Sequence, residues 1–120
     1  MKPAKVLVAE DYDDARDIMA MVLQSAGYQV LEARDGVEAL EVARSFLPTI
    51  IVMDMFMPNM DGLTATRALR DEPQLRRIPV IAQTAQTSVI SGSRELFDAV
   101  LAKPCSPDLL IRTIADLLAR

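Results

Sequence analysis

Ile50-Ile51-Val52-Met53-Asp54-Met55-Phe56-Met57-Pro58-Asn59-Met60-Asp61-Gly62 holds the turning point of the chain. It opens with a short, β-branched apolar run, the composition of a strand buried on both faces of a sheet. The run ends at a carboxylate, Asp54. Pro58 and Gly62 then stop the strand from continuing, and Leu63 to Arg70 resumes at helical period. Asp54 is therefore expected at the carboxyl end of a buried parallel strand, with a loop and a helix after it. In open α/β sheets ligands bind outside that edge. A strand-ending Asp serves equally well to cap the turn that follows, so the other strand ends must decide between the two roles.

Outward from this stretch, strands and helices alternate along the whole chain. Lys5 to Ala9 reads as the first strand and runs straight into Glu10 and Asp11. Ala15, Ile18, Met19, Val22, Leu23 and Ala26 make an amphipathic stripe, with Asp13 as its expected N-cap and Gly27 just past its end. Tyr28 to Ala33 is the second strand, Asp35-Gly36 a turn, and a second helix stops before Pro48. Thr49 to Met53 is the third strand. Ile78 to Ala82 is expected as the fourth and Asp98 to Ala102 as the fifth. Gln86 to Leu96 reads poorly as a helix, because Thr, Val, several Ser and Gly92 lower its propensity. The last helix starts at Ser106-Pro107, a cap followed by proline at the first position, with Leu110, Ile114 and Leu117 on its inner stripe.

This pattern predicts an α/β fold: a five-stranded parallel sheet of order 2-1-3-4-5, doubly wound (flavodoxin-like), with five helices, the fourth short or irregular. The chain has 120 residues, enough for one domain over 1–120 with a sizeable core. No apolar run approaches the roughly 18 residues of a membrane span, and Val6 to Ala9 is too short for a signal-peptide core, so a cytoplasmic location is expected. Cys105 is the single cysteine and histidine is absent. An internal disulfide, a thiolate metal cluster and histidine-based catalysis are thereby excluded within this chain. A net charge of -4 and 4% aromatic residues argue against a nucleic-acid surface.

In the predicted strand order the switch point lies between strands one and three. Glu10 and Asp11 end the first, and Asp54 ends the third. Like charges brought together raise a pKa or attract a cation. Carboxylates with a backbone carbonyl and waters suit Mg²⁺ better than a protein-made Ca²⁺ cage. The fourth strand ends near Thr84-Ala85, which offers a hydroxyl and backbone N–H groups, and the fifth at Lys103, which offers an ammonium. Carboxylate, metal, hydroxyl and ammonium together suit phosphoryl transfer, with Asp54 as the nucleophile.

Val-Leu-Val-Ala-Glu10-Asp11, Asp54 with Met57-Pro58-Asn-Met-Asp61-Gly62, Ile-Ala-Gln-Thr84-Ala85 and Leu-Ala-Lys103-Pro104 occur in this order across essentially the whole chain. The ordered set resembles a receiver domain of two-component response regulators, the CheY-like superfamily, here as a single domain. The resemblance implies that Asp54 accepts a phosphoryl group from a histidine kinase or histidine phosphotransfer protein. It implies Mg²⁺ held by Asp11, Asp54 and the Phe56 backbone carbonyl, with Glu10 acting through water. Lys103 would pair with the phosphoryl oxygens, Thr84 would hydrogen-bond to them with the Ala85 N–H assisting, and the Lys103–Pro104 bond would be cis. Such a receiver is a signalling domain that catalyses only its own phosphorylation and dephosphorylation. It acts on a downstream protein target and contacts neither nucleic acid nor membrane.

Glu10 stands where the family more often has Asp. Val100 stands where it commonly has Tyr or Phe, three residues before the lysine. The Thr84-to-Lys103 interval is shorter than usual by nearly one helical turn. These departures keep a second reading in view, a pseudo-receiver that works as a protein-interaction module without regulated phosphorylation. An aspartyl-phosphate hydrolase of the haloacid-dehalogenase type wants a second Asp two residues after the nucleophile, where this chain has Phe56. A nucleotide or flavin binder of the same architecture needs a phosphate loop after the first strand, where Glu10-Asp11-Tyr12 would repel phosphate.

Overall fold

The structure is a computed structural model describing residues 3–120, so Met1 and Lys2, which open the basic N-terminal segment, lie outside it. Five parallel strands form one sheet: β1 (Lys5–Ala9), β2 (Gln29–Ala33), β3 (Ile50–Asp54), β4 (Val80–Thr84) and β5 (Ala99–Ala102), in the order β2-β1-β3-β4-β5. Every residue of β3 and β4 is buried, as their unbroken apolar composition requires of central strands. Side chains alternate between two cores. Leu7, Ile51, Met53 and Ala82 face one, and Val6, Val8, Val52 and Ile81 face the other.

Helices α1 (Asp13–Ser25), α2 (Gly36–Phe46), α3 (Gly62–Asp71) and α4 (Pro107–Leu118) cover the sheet. α2 and α3 pack on the first core through Ala39, Leu40, Ala43, Ala65 and Leu69. α1 and α4 pack on the second through Leu23, Leu110 and Ile114. The caps follow from short polar side chains. Asp35 accepts the Glu38 N–H at 2.8 Å, Asp61 the Thr64 N–H at 2.7 Å, and Ser106 the Leu109 N–H at 3.1 Å. Asp35 is thus a helix cap rather than a plain turn residue. Gly27, at φ 96°, ends α1 as expected.

Three local expectations shift. Tyr12, not Asp13, occupies the α1 cap position, and Asp13 instead pairs with Arg16 at 2.6 Å. Ile18 is 60% exposed, because α1 meets the sheet through Ala20 and Leu23. β4 begins two residues later than its apolar residues suggest: the Ile78 N–H closes a turn on the Leu75 carbonyl, and Pro79 supplies only its carbonyl to Ile51. The shift makes Thr84 the last residue of the strand.

Four of the five expected helices are α-helical. Between β4 and β5 the chain forms two short 3₁₀ turns, Thr87–Ile90 and Arg94–Leu96, where the fourth helix was expected. Gly92 reverses the backbone between them at φ 82°. Two arginines of α3 tie down the second turn. Arg70 donates to the Leu96 carbonyl at 2.7 and 3.1 Å, to the Ile78 carbonyl at 2.7 Å and to the Arg76 carbonyl at 2.8 Å, and meets Asp98 at 3.3 Å. Arg67 reaches the Ser93 hydroxyl at 3.0 Å. A guanidinium supplies the donors that a missing helix leaves the nearby carbonyls without.

Candidate functional site

The order of the strands puts the ends of β1 and β3 side by side, with β4 and β5 beyond. The Glu10 N–H extends the β1–β2 ladder by donating to the Ala33 carbonyl at 3.0 Å, so Glu10 is held as rigidly as the strand. The Met55 N–H extends the β3–β4 ladder to the Gln83 carbonyl at 3.1 Å, directly after Asp54. The Lys103 N–H donates to the Thr84 carbonyl at 2.9 Å. The Lys103–Pro104 peptide is cis, as expected.

These backbones bring Glu10, Asp11, Asp54 and Lys103 together. Each of the three acids offers a carboxylate oxygen, all within 4.8 Å of one another. Lys103 Nζ lies 2.6 Å from Glu10 Oε1 and 3.2 Å from Asp54 Oδ2. Glu10 also accepts the Tyr12 N–H at 3.1 Å, and Asp54 accepts the Phe56 N–H at 3.2 Å. Glu10 and Asp54 are buried, while Asp11 is exposed. An open cleft of about 470 Å³ leads to Glu10 and Lys103, lined also by Ala85, Gln83 and Ile18.

The acids do not share the lysine equally. Burial, then the charge of Glu10, pushes the Asp54 carboxyl up to about 6 against the pull of Lys103. Burial would raise Glu10 as well, but the hydrogen bonds from Lys103 and the Tyr12 N–H bring it below its ordinary value. Burial and Glu10 raise Asp11. Burial works against the Lys103 cation, yet Glu10 and Asp54 hold its pKa above the ordinary value. Asp54 therefore carries anionic charge that its surroundings do not fully compensate.

A stability consequence follows. A carboxyl whose pKa is raised on folding binds its proton more tightly in the folded state, so it costs stability as pH climbs from about 4 to about 6 and above. Asp54→Asn removes that cost. In thermal melts without divalent cation, the variant is expected to be more stable than the wild type at pH 8 by about 1–3 kcal/mol. The gain should fade as pH falls below about 4. Equal melting temperatures across that range would contradict the unbalanced charge.

The donor set tests well for a hard cation. It is all carboxylate oxygen, crowded and only partly neutralised, which favours Mg²⁺ over softer metals. Of the remaining expected residues, Phe56 bonds to Asp54 through its backbone N–H and Thr84 to Lys103 through its carbonyl, while the Thr84 hydroxyl and Ala85 lie beside the cluster. Thr84 is buried, and its hydroxyl exchanges hydrogen bonds with Gln86, accepting its N–H at 3.0 Å and donating to its carbonyl at 3.2 Å. Ala85 lines the cleft. Phe56 is 51% exposed and lines a second hollow with Met55, Leu63 and Val89. Val100 sits opposite Ala82 in the sheet, partly buried against the first core.

Arg16 carries no motif in the sequence, yet it reaches the site from α1. Its guanidinium donates to the Glu10 carbonyl at 2.9 Å and meets Asp13 at 2.6 Å and Glu32 at 3.3 Å. Its three-residue spacing from Asp13 on one helix face was the only available signal.

Known proteins are similar to this chain in sequence and in fold. The pattern of the family described as the response regulator receiver domain matches residues 6–115. The polar-differentiation response regulator DivK of Brucella anthropi is 35% identical over 121 residues, covering 97% of each chain. A putative response regulator from Chloroflexus aurantiacus superposes with a TM-score of 0.92 at 31% identity, over 99% of this chain and 100% of that one. The receiver domain of a sensor histidine kinase from Pseudomonas aeruginosa, solved with a magnesium ion coordinated in its active-site cleft, gives 0.88 at 31% identity, over 99% and 100%.

Proposed function

The chain belongs to the response regulator receiver domain family, a family of signalling domains in two-component systems, and from that premise we propose that Asp54 accepts a phosphoryl group in a Mg²⁺-dependent phosphorelay. The donor, as membership of the family implies, is a histidine kinase or a histidine phosphotransfer protein, and the chain's lack of histidine fits a phosphohistidine that arrives on a partner. Residues 1–120 act as one receiver unit toward a downstream protein target. The observation that supports this best is the meeting of Glu10, Asp11, Asp54 and Lys103 at one sheet edge, where Lys103 lies 2.6 Å from Glu10 and 3.2 Å from Asp54.

Asp11, Asp54 and the Phe56 carbonyl would hold the cation, with Glu10 beside them. Bound there, Mg²⁺ would supply positive charge to offset the acids and the incoming phosphoryl oxygens. An Asp54 carboxylate oxygen attacks phosphorus, the P–O bond forms, and the P–N bond to the donor's imidazole breaks. Lys103, already beside Asp54, pairs with a phosphoryl oxygen. Thr84 exchanges its partner Gln86 for another phosphoryl oxygen, and the Ala85 N–H assists. Phosphotransfer from a panel of phosphorylated histidine kinases, read by intact mass, tests the proposal. No added phosphoryl group from any kinase or from acetyl phosphate would overturn it.

A pseudo-receiver is the second reading, favoured by Val100 and by the two 3₁₀ turns on the usual output side. Binding of beryllofluoride with Mg²⁺ separates the two, since only a working receiver closes on a phosphoryl analogue. Without an aromatic at position 100, the signal passes through ordering of the 86–96 segment. Amide exchange should slow on analogue binding chiefly at residues 86–92, because Arg67 and Arg70 already pin the later part. A segment equally protected with and without the analogue would refute this route.

A further inference from the structure

We propose that Arg16 is a positioning residue for the acid cluster: it fixes the Glu10–Asp11 peptide and, through it, the direction of the Asp11 carboxylate. This rests on the reading that the acids hold Mg²⁺.

The three acids are not equally secured. Glu10 is held by Lys103 and the Tyr12 N–H, and Asp54 by Lys103 and the Phe56 N–H. Asp11 is exposed, and among the described residues the only backbone N–H favouring its charged form is its own. That N–H belongs to the same planar peptide as the Glu10 carbonyl, the group Arg16 holds at 2.9 Å. Rotation of this peptide would swing Asp11 away from the other acids, and the guanidinium opposes it.

Arg16 suits the task. Its side chain is only 11% exposed, and three anchors from different parts of the fold fix its plane. These are the Glu10 carbonyl after β1, Asp13 in the first turn of α1 and Glu32 in β2. A flat, permanently charged fork with several fixed donors can bind all three at once, whereas an ammonium is a single point charge.

The sign of the effect distinguishes positioning from simple charge. Removing a cation that touches the Glu10 carbonyl should, by charge alone, strengthen binding of another cation at the acids. Removing a positioning group should weaken it. Mg²⁺ titration by calorimetry on the full chain, with a thermal melt of each variant, decides between them. Arg16→Ala is expected to bind Mg²⁺ about tenfold more weakly, as for other groups that orient metal ligands. Glu32→Gln, which keeps the Glu10 contact, should stay within about twofold of wild type. Under saturating Mg²⁺ the acetyl-phosphate labelling rate of Arg16→Ala should return toward wild type. Where Arg16→Ala fails to fold, Arg16→Gln carries the same expectation, since its neutral amide cannot span the three anchors. Equal or tighter Mg²⁺ binding in a folded Arg16 variant overturns the inference alone. No Mg²⁺ binding by the wild type overturns the functional reading and this inference with it.

Discussion

Asp54→Asn is expected to abolish phosphoryl labelling by acetyl phosphate or a phosphorylated kinase, a loss of at least about a hundredfold. Asn matches Asp in shape and keeps an oxygen for the Phe56 N–H, so the site should stay folded. What disappears is the carboxylate proposed as the nucleophile. The neighbouring acids are poorly suited to replace it. Glu10 is 2% exposed, with its oxygens held by Lys103 and the Tyr12 N–H. Asp11 is exposed, and no salt bridge joins it to Lys103 among the described residues. Peptide mapping of the labelled wild type should place the phosphoryl group on Asp54. Labelling of Asp54→Asn at the wild-type rate would sink the assignment.

Gly62→Ala is expected to be the most damaging single methyl in the chain. Gly62 opens α3 directly beneath the end of β3, and its N–H donates to the Met55 carbonyl at 3.3 Å. A Cβ there would collide with the Asp54 carbonyl oxygen and lie 2.9 Å from the Asp54 carbonyl carbon and 2.6 Å from Met55 Cε. Met55 can swing aside, but the Asp54 backbone belongs to a central strand and cannot move without disturbing its ladder. Overpacking of this kind costs about 1–3 kcal/mol or more, enough to lower the melting temperature by several degrees. Because the displaced atoms belong to Asp54, the proposed phosphoacceptor, labelling should fall as well. A melting temperature within about 2 °C of wild type would show that the loop absorbs the methyl.

Asp54 was legible from sequence because a β-branched run, a carboxylate and a Pro/Gly-broken loop fix a strand end without tertiary information. Glu10, Asp11 and Lys103 were legible for the same reason, each ending an apolar strand. The fold followed from the alternation of elements, and the weak 86–96 propensity foreshadowed the two 3₁₀ turns. Less legible were features settled by competition between partners. Ile78 looks like a strand residue, but a turn with Leu75 claims its N–H. Ile18 fits the helical stripe, yet the way α1 lies on the sheet leaves it in solvent. Asp13 fits a helix cap, but Arg16 claims its carboxylate. Arg16, Arg67 and Arg70 act on groups far from them in sequence, where no local pattern points.

The contact between Lys103 and Glu10 spans 93 positions of chain, and this bears on biosynthesis. Asp54 leaves the ribosome well before Lys103 does. At roughly 5–20 residues per second the interval is on the order of several seconds. Throughout it, the acids have neither their lysine nor the strand that carries it, and the central sheet lacks an edge. A nascent chain thus displays Asp54, the proposed acceptor, without the lysine that completes its surroundings. Under the proposed function only a chain translated through β5 could be charged, which would protect a relay from spending donor phosphoryl groups on unfinished molecules.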